Sequence, residues 1–163
     1  MDARLEPLAS IFLLNTDLVL NCIEDMSEDI ASRRADGSAN SASYLVAHLT
    51  DTRHFLAAWL GNPLENPLAV ELRDARGIDD VQQLPSLDVL RAHWMAVSDH
   101  LIEAMESAPP EFLNESSPQR FPVGNSRLDA LAFLAQHESY HVGQLGWIRR
   151  RSGLPAMKYA RRT

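Results

Sequence analysis

The chain has 163 residues, of which 45% are hydrophobic and 23% are charged, and its net charge at pH 7 is −7. This length and composition predict one globular domain over residues 1–163, with enough residues to bury a sizeable core. The acidic balance argues against nucleic acid as a partner, because phosphate binding needs a basic surface.

Several features predict a cytoplasmic protein without a membrane partner. No apolar run approaches the roughly 18 residues that a membrane span needs. The first residues also lack the basic and apolar regions of a signal peptide. The single cysteine, Cys22, excludes an internal disulfide framework and fits a reducing compartment.

Hydrophobic residues spaced three and four apart predict two helices in the N-terminal part of the chain. The first extends from about Leu5 to Met26, with an apolar face of Leu8, Ile11, Leu14, Leu18 and Cys22. A polar connection that contains Gly37 follows, and the second helix is capped by Asn40, Ser41 or Ser43. This second helix ends before Gly61, and its inward face is predicted to be Leu45, His48, Thr52, Phe55 and Trp59.

The link over residues 61–85 is too long for a structureless loop in a compact domain. Asn66 and Pro67, with Gly77 further along, predict one short helix within it. A third long helix starts near Ser86 and ends before Pro109, with an inward face of Leu87, Leu90, Trp94, Val97, Leu101 and Met105.

The last long helix follows a proline-rich loop at 108–125 and is capped by Asn125 or Ser126. Its apolar face is predicted to be Leu128, Leu131, Leu134, His137, His141, Leu145 and Ile148. Four long amphipathic helices with little strand signal predict an all-α four-helix bundle with long connections and one short extra helix. The long links allow an order other than simple up-and-down.

Three histidines fall on the predicted inward faces, His48 on the second helix and His137 and His141 on the last. Residues four apart lie on one side of a helix, so the last two can reach the same point. Burying imidazoles costs free energy unless each has a partner. Three neutral imidazoles can bind zinc or a similar ion and leave one position open, which is typical of a catalytic site. The alternative is that they are hydrogen-bonded packing residues of the core.

Helical spacing also predicts the positions of other polar residues. The candidates to hydrogen-bond the second nitrogen of the ligating imidazoles are Asp51, Glu138 and Gln144. Glu138 is rotated by about 100° from its neighbour His137, which favours a surface position. His54 is predicted to lie at the surface or at the rim of the site, and His93 and His100 are predicted to share a solvated flank of the third long helix. The basic segment at 149–162 is interpreted as a helix end, a pocket rim or a dimer contact rather than a nucleic-acid site.

Two segments resemble the DinB-like (YfiT-like) family of metalloenzymes. One is Tyr44-Leu-Val-Ala-His48-Leu, followed by Trp59-Leu-Gly61, and the other is His137-Glu-Ser-Tyr-His141-Val-Gly-Gln144-Leu-Gly. Order and spacing agree over essentially the whole chain. The resemblance implies a down-up-up-down four-helix bundle, a divalent metal, zinc or nickel, on His48, His137 and His141, and a homodimer. Some relatives are transferases or isomerases that use bacillithiol or mycothiol. The isomerases can have a glutamate ligand, and because this chain has histidine at both positions of the last helix, that activity is not implied.

The leading hypothesis is a metal-dependent enzyme that activates a thiol or water to attack a small-molecule substrate. Transfer of a low-molecular-weight thiol is placed before hydrolysis, and the catalytic residues are left open. A second hypothesis is a non-catalytic metal-binding or stress-response module on the same scaffold. A third is a bundle in which the histidines have only a structural role.

Overall fold

The computed structural model describes residues 1–34, 39–117 and 119–159. Their regular secondary structure is helical, and no strand is present among them. The four long helices are α1 (Glu6–Ile23), α3 (Ala42–Trp59), α4 (Leu87–Ser107) and α5 (Arg127–Arg151). A short helix, α2 (Glu28–Ser32), follows α1, and single 3₁₀ turns lie at Ile78–Asp80 and Phe112–Asn114. The all-α prediction is confirmed. The predicted connection at Gly37 lies outside the described residues.

Serine side chains cap the N-termini of three of the long helices. Ser41 accepts a hydrogen bond from Tyr44 N at the start of α3, and Ser86 accepts one from Val89 N at the start of α4. Ser126 and Asp129 form a capping box at the start of α5. These side chains satisfy backbone N–H groups that have no partner within the helix. The predicted starts of these helices are therefore confirmed.

Two apolar clusters at opposite ends of the bundle establish the direction of each helix. The first joins the ends of α1 and α5 to the starts of α3 and α4, through Cys22, Ile148, Leu45 and Leu90. The second joins the opposite ends, through Phe12, Leu131, Leu56 and Leu101. Helices α1 and α5 therefore run in one direction and α3 and α4 in the other. This is the down-up-up-down order.

The parallel pair α3 and α4 explains the long link between them. These helices pack together, so residues 60–86 must return along the length of α3, about 27 Å for 18 residues. The predicted helix from Asn66 to Gly77 is wrong, because this segment forms successive turns. Only Leu68 within it is fully buried, and a short helix without a packed face is marginal in water. The one short α-helix is instead α2.

The inward faces of α1 and α3 differ from those predicted. Ile11 and Phe55 were placed inward but are both 38% exposed. On α1 the polar residues Asn15 and Thr16 turn inward instead, and their side chains make hydrogen bonds to Ser139 and Arg53. Such pairing removes the cost of burying polar groups. The inward face predicted for α4 is confirmed, since all six of its residues are buried.

Helix α1 is also long and apolar enough, by length and composition, to cross a membrane. Core helices of soluble proteins pass the same test. In this structure the apolar residues Phe12, Val19 and Ile23 of α1 are buried, and the helix packs against α4 and α5. These contacts account for its apolar character.

An ion pair between Arg53 of α3 and Glu138 of α5 lies between the two apolar clusters. Both side chains are buried, with exposed fractions of 0% and 1%. Arg53 Nε and Nη2 donate to the two carboxylate oxygens of Glu138 at 2.8 and 2.7 Å. The remaining donors of the guanidinium reach Thr16 Oγ1 and the Phe12 carbonyl on α1, and Ser98 Oγ on α4. Arg53 therefore connects all four long helices.

The Arg53→Met variant should lose about 3–5 kcal/mol of unfolding free energy, because it leaves the Glu138 carboxylate buried without a partner. The double variant Arg53→Met/Glu138→Leu should recover most of this loss, since it removes both charges. Urea unfolding followed by circular dichroism measures both effects.

A matched control is Arg33→Met, because Arg33 pairs with Asp29 while 66% of its side chain is exposed. This substitution should change stability by no more than about 0.5 kcal/mol. Equal losses for Arg53→Met and Arg33→Met would contradict the structural importance of the buried pair.

Candidate metal centre

Three histidine Nε2 atoms meet between the middle of α3 and the middle of α5. His137 Nε2 lies 3.0 Å from His141 Nε2 and 3.5 Å from His48 Nε2. All three ligand atoms lie within 4.8 Å of one another. The structure thus brings together the three histidines that the sequence singled out, from positions far apart in the chain.

These distances suit a shared metal ion. Two nitrogens that bind one tetrahedral zinc at about 2.0–2.1 Å lie about 3.3 Å apart, close to the observed 3.0 and 3.5 Å. The rings of the three histidines are nearly perpendicular to one another, with interplanar angles of 75°, 81° and 86°. The imidazoles therefore approach one point from different directions, and they could hold a divalent ion there.

Gln144 controls the orientation of His141. His141 Nδ1 donates to Gln144 Oε1 at 2.6 Å, and Gln144 Nε2 donates to Tyr140 Oη at 3.3 Å. Because the neutral ring carries its proton on Nδ1, Nε2 has a free lone pair for a metal. Of the three candidates for this supporting role, Gln144 is the one that contacts a histidine of the triad.

His137 is positioned differently. Its Nδ1 atom is buried and has no hydrogen-bond partner in the described part of the chain. Its ring stacks on Phe133, with ring centres 6.3 Å apart, and Tyr44 stacks on His48 in a similar way at 6.1 Å. Two of the three imidazoles are thus oriented by aromatic packing.

The surroundings keep all three imidazoles neutral near pH 7. Burial, together with the nearby His141 and His137, lowers the pKa of His48 from 6.5 to about 4. Burial also lowers the pKa of His137 and of His141, although the hydrogen bond with Gln144 and the charge of Glu138 partly oppose this for His141. A neutral imidazole is the form that binds metal, so the three side chains are in the form that could hold a divalent ion near neutral pH.

An open cleft of about 310 Å³ lies beside the triad, lined by His48, Asp51, Thr52, Phe55, Gln119, Phe121, Leu134 and His137. His48 and His137 line this cleft and are only partly buried, because the cleft exposes one side of the site. Among the described residues of its wall, Asp51 is the one acidic side chain. Asn66 Nδ2 donates to Asp51 Oδ1 at 2.6 Å, and this contact connects the long link to the cleft.

Two surface predictions near the site are wrong. Glu138 is buried, because its carboxylate pairs with Arg53. His54 is only 5% exposed, and its Nδ1 lies 3.3 Å from the Leu64 carbonyl of the link. Spacing within one helix could not reveal either partner, since both come from other parts of the fold. His100 is partly buried, with Nε2 2.8 Å from the Asn62 carbonyl.

Cys22 and Arg149 are both buried and lie outside the histidine triad of the candidate metal centre. Cys22 is buried, as predicted, and burial raises the pKa of its thiol to about 11, which makes it a poor nucleophile at neutral pH. Arg149 is also buried, and its guanidinium donates to the carbonyls of Cys22, Glu24 and Pro155. Arg149, the first residue of the basic segment, therefore connects the end of α1 to the segment that follows α5. Residues 160–163 of the basic segment lie outside the described part of the chain.

The family assignment comes from the sequence itself. Residues 12–145 match the DinB superfamily. The chain belongs to the DinB superfamily. A search of curated proteins gives no match. Among solved structures, YfiT from Bacillus subtilis, described as a probable metal-dependent hydrolase with an unusual four-helix bundle topology, has a TM-score of 0.65 to this structure. The two chains are 12% identical over 95% of this chain and 91% of YfiT, so the likeness concerns the fold.

The sequence predicts Asp51 only as a possible hydrogen-bond partner of an imidazole, whereas the structure places it in the cleft wall. Asp51 follows His48 by nearly one helical turn, so the spacing alone could have placed both on one side of α3. Its partner Asn66 was interpreted only as a helix cap. Asn66 does accept a hydrogen bond from Leu68 N, and its amide nitrogen holds Asp51 as well.

The His48→Ala variant of this DinB superfamily member should lose stoichiometric zinc, because two imidazoles alone cannot complete the site. Zinc is measured by elemental analysis after loading and dialysis into metal-free buffer. His93→Ala is the control, since His93 lies on α4 outside the triad, and it should retain zinc. Full retention by His48→Ala would rule out the three-histidine site.

The metal-free protein should lose stability as the pH falls from 6.5 towards 4. The lowered pKa of His48 means that the unfolded chain takes up this proton before the folded one. Acid therefore favours unfolding in this interval, and the contribution of His48 is constant above it. Urea unfolding at stepped pH should give a shallower pH dependence for His48→Gln, and an unchanged slope would contradict the assignment.

Proposed function

We propose that this DinB superfamily member is a metal-dependent hydrolase of small molecules. The observation that carries the proposal is the convergence of three neutral imidazoles beside an open cleft that also contains a carboxylate. Hydrolases need a site that activates water and a group that takes its proton, and this cleft offers both.

The triad would hold the divalent ion, zinc or nickel, through the Nε2 atoms of His48, His137 and His141. A bound ion would lower the pKa of a water or thiol at its open position, so that a nucleophile forms near neutral pH. Gln144 keeps His141 in the correct tautomer for this role, and such supporting contacts commonly change metal affinity by about 10–100-fold.

Asp51 is the proposed proton acceptor. Asn66 occupies Asp51 Oδ1, and no hydrogen bond to Oδ2 is present among the described residues. The second oxygen is thus available to take a proton from a nucleophile in the cleft. Because Asn66 donates to the carboxylate, it also fixes the direction in which the free oxygen points.

The cleft walls indicate a substrate with an apolar part. Phe55, Phe121 and Leu134 line one cleft with the polar side chains of Asp51 and Gln119. Its volume of about 310 Å³ is at the small end of the range for ligand pockets. Apolar walls bind the body of a ligand, and the few polar groups select its orientation.

Water is favoured over a thiol as the nucleophile, because of Asp51. A thiol that coordinates a metal loses its proton without a separate base, whereas attack by water benefits from one. The description of YfiT as a probable metal-dependent hydrolase supports the same choice. Thiol transfer, the first expectation from the sequence, becomes the second candidate. A thiol that serves as cosubstrate would shift the visible spectrum of the cobalt-substituted protein, and the absence of any shift would exclude it.

The Asp51→Asn variant should lose about 10²–10⁴-fold in kcat, because the amide cannot accept the proton. The assay uses the zinc-loaded protein and a panel of chromogenic esters and amides, with zinc content measured in parallel. KM and zinc content should change little, since Asp51 is outside the triad. Asp99→Asn, at an exposed position on α4, is the matched control and should keep full activity.

Two results would contradict the proposal. An unchanged kcat in Asp51→Asn would show that Asp51 is not the proton acceptor. The absence of hydrolysis of any substrate by the zinc-loaded protein would favour a non-catalytic metal-binding module. The homodimer and the cytoplasmic location stay predictions, which light scattering and cell fractionation would test.

A further inference from the structure

Three arginines surround a second pocket, at the end of the bundle where α2 and α5 end. The pocket has a volume of about 190 Å³ and is lined by Ile30, Arg33, Arg34, Ile148, Arg151 and Ser152. Among the residues that the structure describes, no lining residue is acidic, and none is shared with the cleft beside the histidines. Arg151 lies roughly 15 Å beyond His141 along α5. This arginine pocket is therefore separate from the metal centre.

The three consecutive arginines at the end of α5 have different surroundings. Arg149 is buried and donates to backbone carbonyls, and Arg150 donates to the Leu154 carbonyl. Arg151 lines the pocket instead, and its guanidinium lies over the Trp147 ring at 5.9 Å. In the described part of the chain Arg151 has no carboxylate partner. Its charge is thus available to a ligand.

The carboxylates that pair with the other two arginines neutralise them only weakly. Arg33 pairs with Asp29, and Arg34 pairs with Asp79, but these carboxylates are 77% and 81% exposed. Exposed ion pairs contribute little and are screened by salt. Three guanidinium groups thus line one small pocket, and the carboxylate partners of two of them are exposed to solvent. A bound anion would provide a further partner for these charges.

Two further features of the pocket favour an anion as its ligand. Arg34 Nε donates to the Ala39 carbonyl at 2.7 Å, which holds this guanidinium in place. Ile30 and Ile148 supply an apolar wall, where water competes less for the charges. The planar fork of arginine matches the oxygens of carboxylate and phosphate groups.

We propose that the arginine pocket binds the anionic group, a carboxylate or a phosphate, of a small ligand. The site needs no metal, so this proposal stands independently of the hydrolase. The two anions share the same recognition by guanidinium groups, and separate titrations with each anion distinguish them.

The test is a titration of the full-length protein with inorganic phosphate, and separately with acetate, followed by NMR of the arginine Nε–H signals. We expect saturable shifts for at least one anion. Arg151→Gln should weaken that binding by about tenfold or more, since a hydrogen bond between charged groups contributes about 1.5–3 kcal/mol. Arg34→Gln provides a second variant with the same expected loss.

Arg150→Gln is the matched control, because it removes the same charge from the same helix end without altering the pocket lining. It should change the affinity by less than about twofold. Equal weakening by Arg150→Gln and Arg151→Gln, or shifts that never saturate, would overturn the proposal. His48→Ala should bind the anion as tightly as the unaltered protein, and loss of binding in that variant would place the anion at the metal centre instead.

Discussion

Arg53 and Glu138 bring opposite charges into the middle of an apolar bundle, where neither charge could remain without the other. The guanidinium makes hydrogen bonds to α1, α4 and α5 from its place on α3, and it lies 3.8 Å from the centre of the Trp94 ring. Every donor of this network is directed to a partner, so the contact restricts how the four helices can rotate. Apolar side chains pack in the two end clusters, and this polar layer connects all four long helices between them.

The rotation of α5 has a direct consequence for the histidines. With the Glu138 carboxylate in the core, His137 is turned by about 100° and His141 lies on the same side, towards α3. The imidazoles are therefore at the edge of the core, between buried helix faces and an open cleft. Burial is sufficient to lower their pKa values, and the cleft leaves space for a ligand. The same contact that orders the bundle also sets the chemistry of the site.

The sequence predicted what depends on local chemistry and missed what depends on distant partners. Serine caps and the apolar face of α4 are local, and both predictions hold. Arg53 was not singled out and Glu138 was placed at the surface, because their pairing joins residues on different helices. The histidine triad was predictable, since its members lie on apolar helix faces with the three- and four-residue spacing of a helix. The contact of Asn66 with Asp51 could not be predicted, because Asn66 belongs to the link between α3 and α4, whose path is not determined by helical spacing.

X-ray absorption at the zinc edge of the loaded protein tests the central claim most directly, since it reports the atoms around the metal without any substrate. The account predicts three imidazole nitrogens at about 2.0–2.1 Å from the zinc and one further ligand that is not an imidazole. The His48→Ala protein should lose one imidazole or the metal altogether. A spectrum with fewer than three imidazoles, or one unchanged by this substitution, would contradict the candidate metal centre.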